Sequence, residues 1–130
     1  TTYLTTGVGS VTLLLPTAVK YFGLLWGSVD GYNSLAFFNG ATLIDTITGS
    51  DVTALPNGDQ GANNTFYVNI NSTAAFDRVV ARSTSYGFEF DNVTFNADAI
   101  GVPEPGAAGI FLLGLLIVGS SYWCKIRRLI

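Results

Sequence analysis

The 130-residue chain contains no histidine, no methionine and a single cysteine, Cys124. Without an imidazole there is no Ser-His or Cys-His nucleophile pair and no Cys/His zinc site. One cysteine excludes an intrachain disulfide, so a folded domain must be held by its core. Charge is scarce too, at 12% of residues against 48% hydrophobic, and it is unevenly placed. Residues 1–104 hold all nine acids and only Lys20, Arg78 and Arg82, a net of −6, whereas residues 105–130 hold Lys125, Arg127 and Arg128 and carry +3. An acidic body without a basic, aromatic-interleaved stripe repels phosphate backbones, which argues against nucleic acid as a partner. No charged-then-apolar leader stands at Thr1. The expectation is either a secretory signal already removed or a fragment start.

What is present before residue 100 reads as strand. Thr, Val, Tyr, Phe, Ile and Leu occur in short runs bounded by Gly, Asn, Asp and Pro. The predicted strands are Thr2–Thr6, Ser10–Leu15, Tyr21–Trp26, Ser34–Phe38, Ala41–Thr46, Thr65–Asn71, Phe76–Ser83 and Tyr86–Phe95. Asn39-Gly40 between two apolar runs predicts a hairpin whose two central residues both take positive φ. Phe66, Val68 and Ile70 alternate with Tyr67 and Asn69, and Phe88 and Phe90 with Glu89 and Asp91, so each strand should have one buried and one wet face. Trp26 reads as a core aromatic before a turn, and Gly49–Asn64 as a long polar loop, of the kind that is either functional or mobile. The pattern predicts an all-β fold, an antiparallel β-sandwich of jelly-roll-like type over residues 1–96, with a flexible linker at 97–101.

The tail has different physics. Gly106 to Trp123 is 18 residues without a charge, a helix of roughly 27 Å against a hydrocarbon core of ~30 Å. Ile110–Leu113 and Leu115–Val118 each favour insertion by ~0.3–0.6 kcal/mol, roughly 2–5 kcal/mol together. A single C-terminal transmembrane helix over 106–123 is therefore expected, with a buried core helix as the other reading. Tyr122 and Trp123 suit an interface, and Lys125, Arg127 and Arg128 in the basic tail 124–130 form a stop-transfer cluster that holds that end in the cytoplasm and leaves the β domain outside. Gly109, Gly114 and Gly119 recur every five residues and give no GxxxG face. Just before the span, Val102-Pro103-Glu104-Pro105 is held extended by its prolines, the backbone form proteases engage. Equally, Pro105 suits a helix start and Glu104 a helix N-terminus.

The succession VPEP, apolar span with spaced glycines and KIRR resembles the PEP-CTERM sorting signal of bacterial exported proteins, over residues 102–130. The stretches YFGLLWGSVDGYNSLAFFNG (Tyr21–Gly40) and YGFEFDNVTF (Tyr86–Phe95) likewise resemble an exosortase-dependent surface-protein family. The basic cluster here is broken by Ile126 and followed by Leu129-Ile130. The resemblance implies that Val102, Pro103, Glu104 and Pro105 are recognised by exosortase, a membrane-embedded cysteine protease or transpeptidase. It also implies delivery to the bacterial cell surface, extracellular matrix or exopolysaccharide of a biofilm.

Little remaining chemistry competes with that reading. Asp30, Asp51, Asp59 and Asp91 are oxygen donors at turns and are the candidate Ca²⁺ ligands, yet no EF-hand spacing exists and turn carboxylates commonly cap their own backbone. Glu89 and Asp91 share a strand face as a glycosidase pair would, but wet sandwich faces commonly carry such pairs. Tyr32, Tyr67 and Tyr86 could stack on sugar rings. The expectation is a non-enzymatic exported structural protein without a cofactor. The alternatives are an exopolysaccharide-binding module and a permanently anchored membrane protein.

Overall fold

The computed structural model describes residues 3–101. They form six strands: β1 (Leu4–Thr6), β2 (Gly9–Gly27), β3 (Asn33–Asn39), β4 (Thr42–Thr48), β5 (Phe66–Ser83) and β6 (Phe88–Asn96). A four-residue helix, α1 (Gly49–Val52), and a 3₁₀ turn at Ala62–Asn64 lie between β4 and β5. The described part is thus all-β and antiparallel, as the alternation predicted. All six strands join one continuous ladder in the order β1-β6-β2-β5-β3-β4.

Eight predicted strands become six because two pairs are fused. Ser10–Leu15 and Tyr21–Trp26 are the ends of β2, and Thr65–Asn71 and Phe76–Ser83 the ends of β5. Pro16 looked like a strand end because proline cannot donate to a ladder. Here it sits where pairing with β5 jumps from Leu14↔Arg78 to Val19↔Phe76, an irregularity of the kind where a missing N–H is tolerated.

That irregularity is a corner. β6 pairs with β2 only from Tyr21 to Gly27, and β3 pairs with β5 only from Arg78 to Ser83. Each half of the long β2–β5 pair therefore carries its own wing. Phe22 lies opposite Ile70 and Phe37 opposite Val79, positions that a straight β5 would hold roughly 30 Å apart. Their rings are 5.9 Å apart edge-to-face, and Phe37 meets Phe76 at 5.0 Å. The ladder folds over on itself and encloses the core between its two wings, a sandwich-like arrangement made from one sheet.

The predicted alternation holds in β6, where Phe88 and Phe90 are buried and Glu89 and Asp91 are not, and in β5, where Ile70 is buried and Phe66 and Val68 half-buried against exposed Tyr67 and Asn69. Phe22, Leu24 and Trp26 of β2, Leu35 and Phe37 of β3, Phe76 and Val79 of β5 and Phe88 and Phe90 of β6 are buried. Trp26 packs on Phe88 at 4.6 Å and closes the end of β2, as its position before a turn suggested. Period-two parity breaks in β6 at Asn92, where φ is +51° and the pairing with β2 shifts register. Val93 returns to the core margin beyond it, while Phe95 stays exposed.

The β3–β4 hairpin forms, but its turn is one residue later than predicted. Asn39 pairs with Thr42, so Gly40 and Ala41 are the central residues, and Gly40 alone takes positive φ (+56°). Positive φ at the first central residue only is the type II′ pattern, which needs glycine there and not the Asn-Gly pair. Among the described residues no helix is long and apolar enough to cross a membrane. The span 106–123, the triplet with its preceding Val102 and the basic tail lie outside the described residues.

Candidate functional site

Chemistry-bearing side chains gather where β2 hands over to β3. The connection Ser28–Tyr32 is gripped by the segment 49–64, which is folded against it. Val29 N–H donates to the Asn64 carbonyl at 2.9 Å, and the Asn64 amide returns a bond to the Val29 carbonyl at 2.9 Å. Gly58 N–H also reaches the Val29 carbonyl, and Gly31 N–H the Pro56 carbonyl. Asn64 is buried and its amide further donates to Asn57 Oδ1 at 2.8 Å. A buried backbone must find partners, and this loop supplies them for the β2–β3 connection. Its role in the described structure is therefore structural support.

Two glycines make the close approach possible. A Cβ on Gly49 would overlap the Asp30 carbonyl, and one on Gly58, whose φ is +71°, would overlap the Asp30 carboxylate. Asp30 is itself 7% exposed. The neighbouring Tyr32 hydroxyl donates to the Tyr86 carbonyl at 2.7 Å. The neighbouring Asp30 carboxylate pushes the Tyr32 pKa up to about 12, with some help from burial. The rise means that the neutral phenol is favoured by folding. Its contribution is complete below the ordinary value of 10.0 and is lost as pH climbs to about 12. Tyr32 is largely solvated, so the stability change is small, but the titration itself is readable. Phenolate absorbance of the folded protein should show a late step centred near pH 12, absent from Tyr32→Phe. A titration unchanged by that substitution contradicts the Asp30–Tyr32 coupling.

Of the three candidate sugar-stacking tyrosines, Tyr32 and Tyr86 are brought together by that hydrogen bond, with Tyr86 82% exposed. Tyr67 stands apart on the outer face of β5, its hydroxyl 2.9 Å from Thr94 Oγ1. The candidate calcium ligands do not converge. Asp51 accepts from both the Thr48 N–H and hydroxyl, which holds its carboxyl below the usual range. Asp59 accepts from Gly61 N–H and Asp91 from Asn92 N–H. Among the described residues no three His, Cys, Asp or Glu side chains are grouped as a metal would require. Glu89 and Asp91 have separate engagements, since Glu89 accepts instead from Ser28 Oγ at 3.0 Å.

A second feature escaped the sequence. Among the described residues, β5 pairs from Phe66 to Asn71 with β2 on one side only. Beside its free edge a groove of about 540 Å³ opens toward Ile47, Asp51 and Val52. It meets a second hollow of about 260 Å³ floored by Phe37, Ile44 and Phe76. Asn71, at the junction, also fastens the end of the folded unit: its amide donates to the Ile100 carbonyl at 3.0 Å and its Oδ1 accepts from Ile100 N–H at 2.9 Å. Lys20 N–H holds the Ala97 carbonyl, and Asn96 the Asp98 carbonyl. Within the expected flexible linker 97–101, Ala97, Asp98 and Ile100 are thus bonded to the domain, and Gly101 alone separates Ile100 from Val102.

No protein-family model matches the chain, and no curated protein or solved structure gives a significant match.

Proposed function

We propose that the chain is an exported cell-surface or extracellular-matrix structural protein, without enzymatic activity, delivered to a bacterial envelope by an exosortase-type protease or transpeptidase acting on Val102–Pro105. In this reading the folded-over sheet serves as a jelly-roll-like sandwich that is displayed outside the cell. The tail 106–130 holds the precursor in the membrane until the signal is read.

The observation that carries the structural role is the free edge of β5. Thr65–Ala75 contains no charged residue, although unpaired edges are usually guarded by Lys, Pro or inward charge. On a body carrying −6 ahead of Pro105, this uncharged stretch, with Asp51 the one acid lining the adjoining groove, is where two copies meet little like-charge repulsion. Strand pairing between copies then gives assembly without a ligand. Thr73→Lys, at an exposed position of β5 within this uncharged stretch, is expected to abolish concentration-dependent assembly in sedimentation velocity while leaving the melting temperature nearly unchanged. Equal assembly by both proteins, or none by the parent at any concentration, contradicts the structural role.

The exopolysaccharide-binding alternative draws support from Tyr86, exposed beside Tyr32. The permanently anchored alternative differs from the main reading only in the fate of the tail.

A further inference from the structure

The turn leaving β2 contains an uncommon backbone. Ser28 has φ +43°, a left-handed conformation that non-glycine residues adopt rarely and that points to a role for the side chain it aims. Ser28 is buried, and its Oγ donates to Glu89 Oε2 at 3.0 Å. Glu89 lies on β6 opposite Gly27 of β2 and Thr5 of β1, on the face away from buried Phe88 and Phe90. The two side chains are therefore fixed by three strands and a turn.

They share a half-enclosed pocket of about 190 Å³ with Tyr3, Gly27, Gln60 and Thr65. Its chemistry is selective. Among the described residues no Lys or Arg lines it, so a phosphate or carboxylate ligand would face Glu89 with no counter-charge. It holds a single carboxylate, whereas Ca²⁺ asks for six to eight oxygens that usually include several carboxylates. An ammonium ligand would satisfy Glu89 and leave the amide N–H groups of Gln60 unmatched. A neutral polyol uses every group: vicinal hydroxyls donate to Glu89, Gln60 both donates and accepts, and the Ser28 and Thr65 hydroxyls do either. Tyr3, 41% exposed, offers a ring face to the apolar side of a sugar. The hollow is of the size of one pyranose ring, and its open side lets a longer glycan continue into solvent.

We infer that the pocket of Tyr3, Ser28, Gln60, Thr65 and Glu89 binds a single residue of a neutral polysaccharide, with Ser28 as the positioning residue that orients the Glu89 carboxylate. This site is distinct from the Tyr32–Tyr86 pair, and it depends neither on the sorting signal nor on assembly through the β5 edge.

The test is a titration of the full-length protein in detergent with neutral gluco-, galacto- and manno-oligosaccharides, followed by calorimetry. At least one is expected to bind. Glu89→Gln, nearly isosteric, should weaken it at least tenfold. Ser28→Gly, which removes Oγ while suiting positive φ, should weaken it several-fold without lowering the melting temperature. Tyr86→Ala should leave it unchanged. The inference is overturned if no oligosaccharide in the panel binds, or if binding survives Glu89→Gln, whether or not it disappears in Tyr86→Ala. It is equally overturned if calcium chloride or an alkylammonium salt alone saturates the site and Glu89→Gln removes that binding.

Discussion

Replacing Phe37 by alanine is expected to destabilise the domain by ~3–5 kcal/mol. Phe37 is 2% exposed and touches Phe22 at 5.9 Å and Phe76 at 5.0 Å. It is the ring through which the β3 wing meets the other half of the ladder, so its loss leaves a cavity where the sheet folds over on itself. For a domain of about 100 residues each kcal/mol moves the midpoint by roughly 4–8 °C, so thermal denaturation followed by circular dichroism should drop by more than about 12 °C. A drop of only a few degrees would mean that the wings are not closed on each other. Tyr86→Ala, an exposed aromatic on the same molecule, should change the midpoint by no more than about 2 °C.

Gly49→Ala carries the second large effect. The added Cβ runs into the Asp30 carbonyl, which is backbone and can yield only if the whole connection moves. The cost is expected at ~1–3 kcal/mol, the usual range for overpacking. The damage should also be local: the segment 49–64 would lift from Val29 and lose the bonds that Asn64 and Gly58 make there. Limited proteolysis should then cut between residues 53 and 63 in the variant and not in the parent. An unchanged cleavage pattern together with an unchanged melting temperature contradicts the docked loop.

These two positions also show where sequence reasoning succeeds and where it stops. Phe37 sits in Leu-Ala-Phe-Phe, apolar at every position, so the sequence does not say which phenylalanine faces in, whereas Phe88 and Phe90 alternate with Glu89 and Asp91 and their burial could be read in advance. The strand count could not, because a proline or a Ser-Thr pair marks a strand end and a bulged corner with the same letters. Pro16 and Ser72-Thr73 lie inside long strands here, and only the pairing of β2 with β5 distinguishes the two cases. Nor does composition reveal that a polar loop is docked. Asn64 reads as a turn residue, and its burial depends on Val29, which lies 35 positions away. The Ser28–Glu89 pair spans 61 positions and has no local signal at all.

The candidate sites divide in the same way. Asp51, Asp59 and Asp91 each bond their own neighbourhood, as turn chemistry anticipates. Tyr32 and Tyr86 come together through a 54-residue separation that no motif announces. The edge of β5 is legible as an uncharged run, but that it has no second partner among the described residues is a fact of topology. The proposed sorting signal is the reverse case, read wholly from local sequence in residues 102–130, outside the described structure.

The domain ends in hydrogen bonds to Ile100, one residue before Gly101 and two before the proposed signal. Processing would release the folded unit whole and leave only a few residues beyond Gly101. Intact mass spectrometry of the protein recovered from its native envelope measures this outcome directly. A mature form whose C-terminus falls within Val102–Pro105, with residues 106–130 missing, is the predicted result. Recovery of only the full-length chain, with Ile130 present, would contradict it and leave a permanently anchored protein.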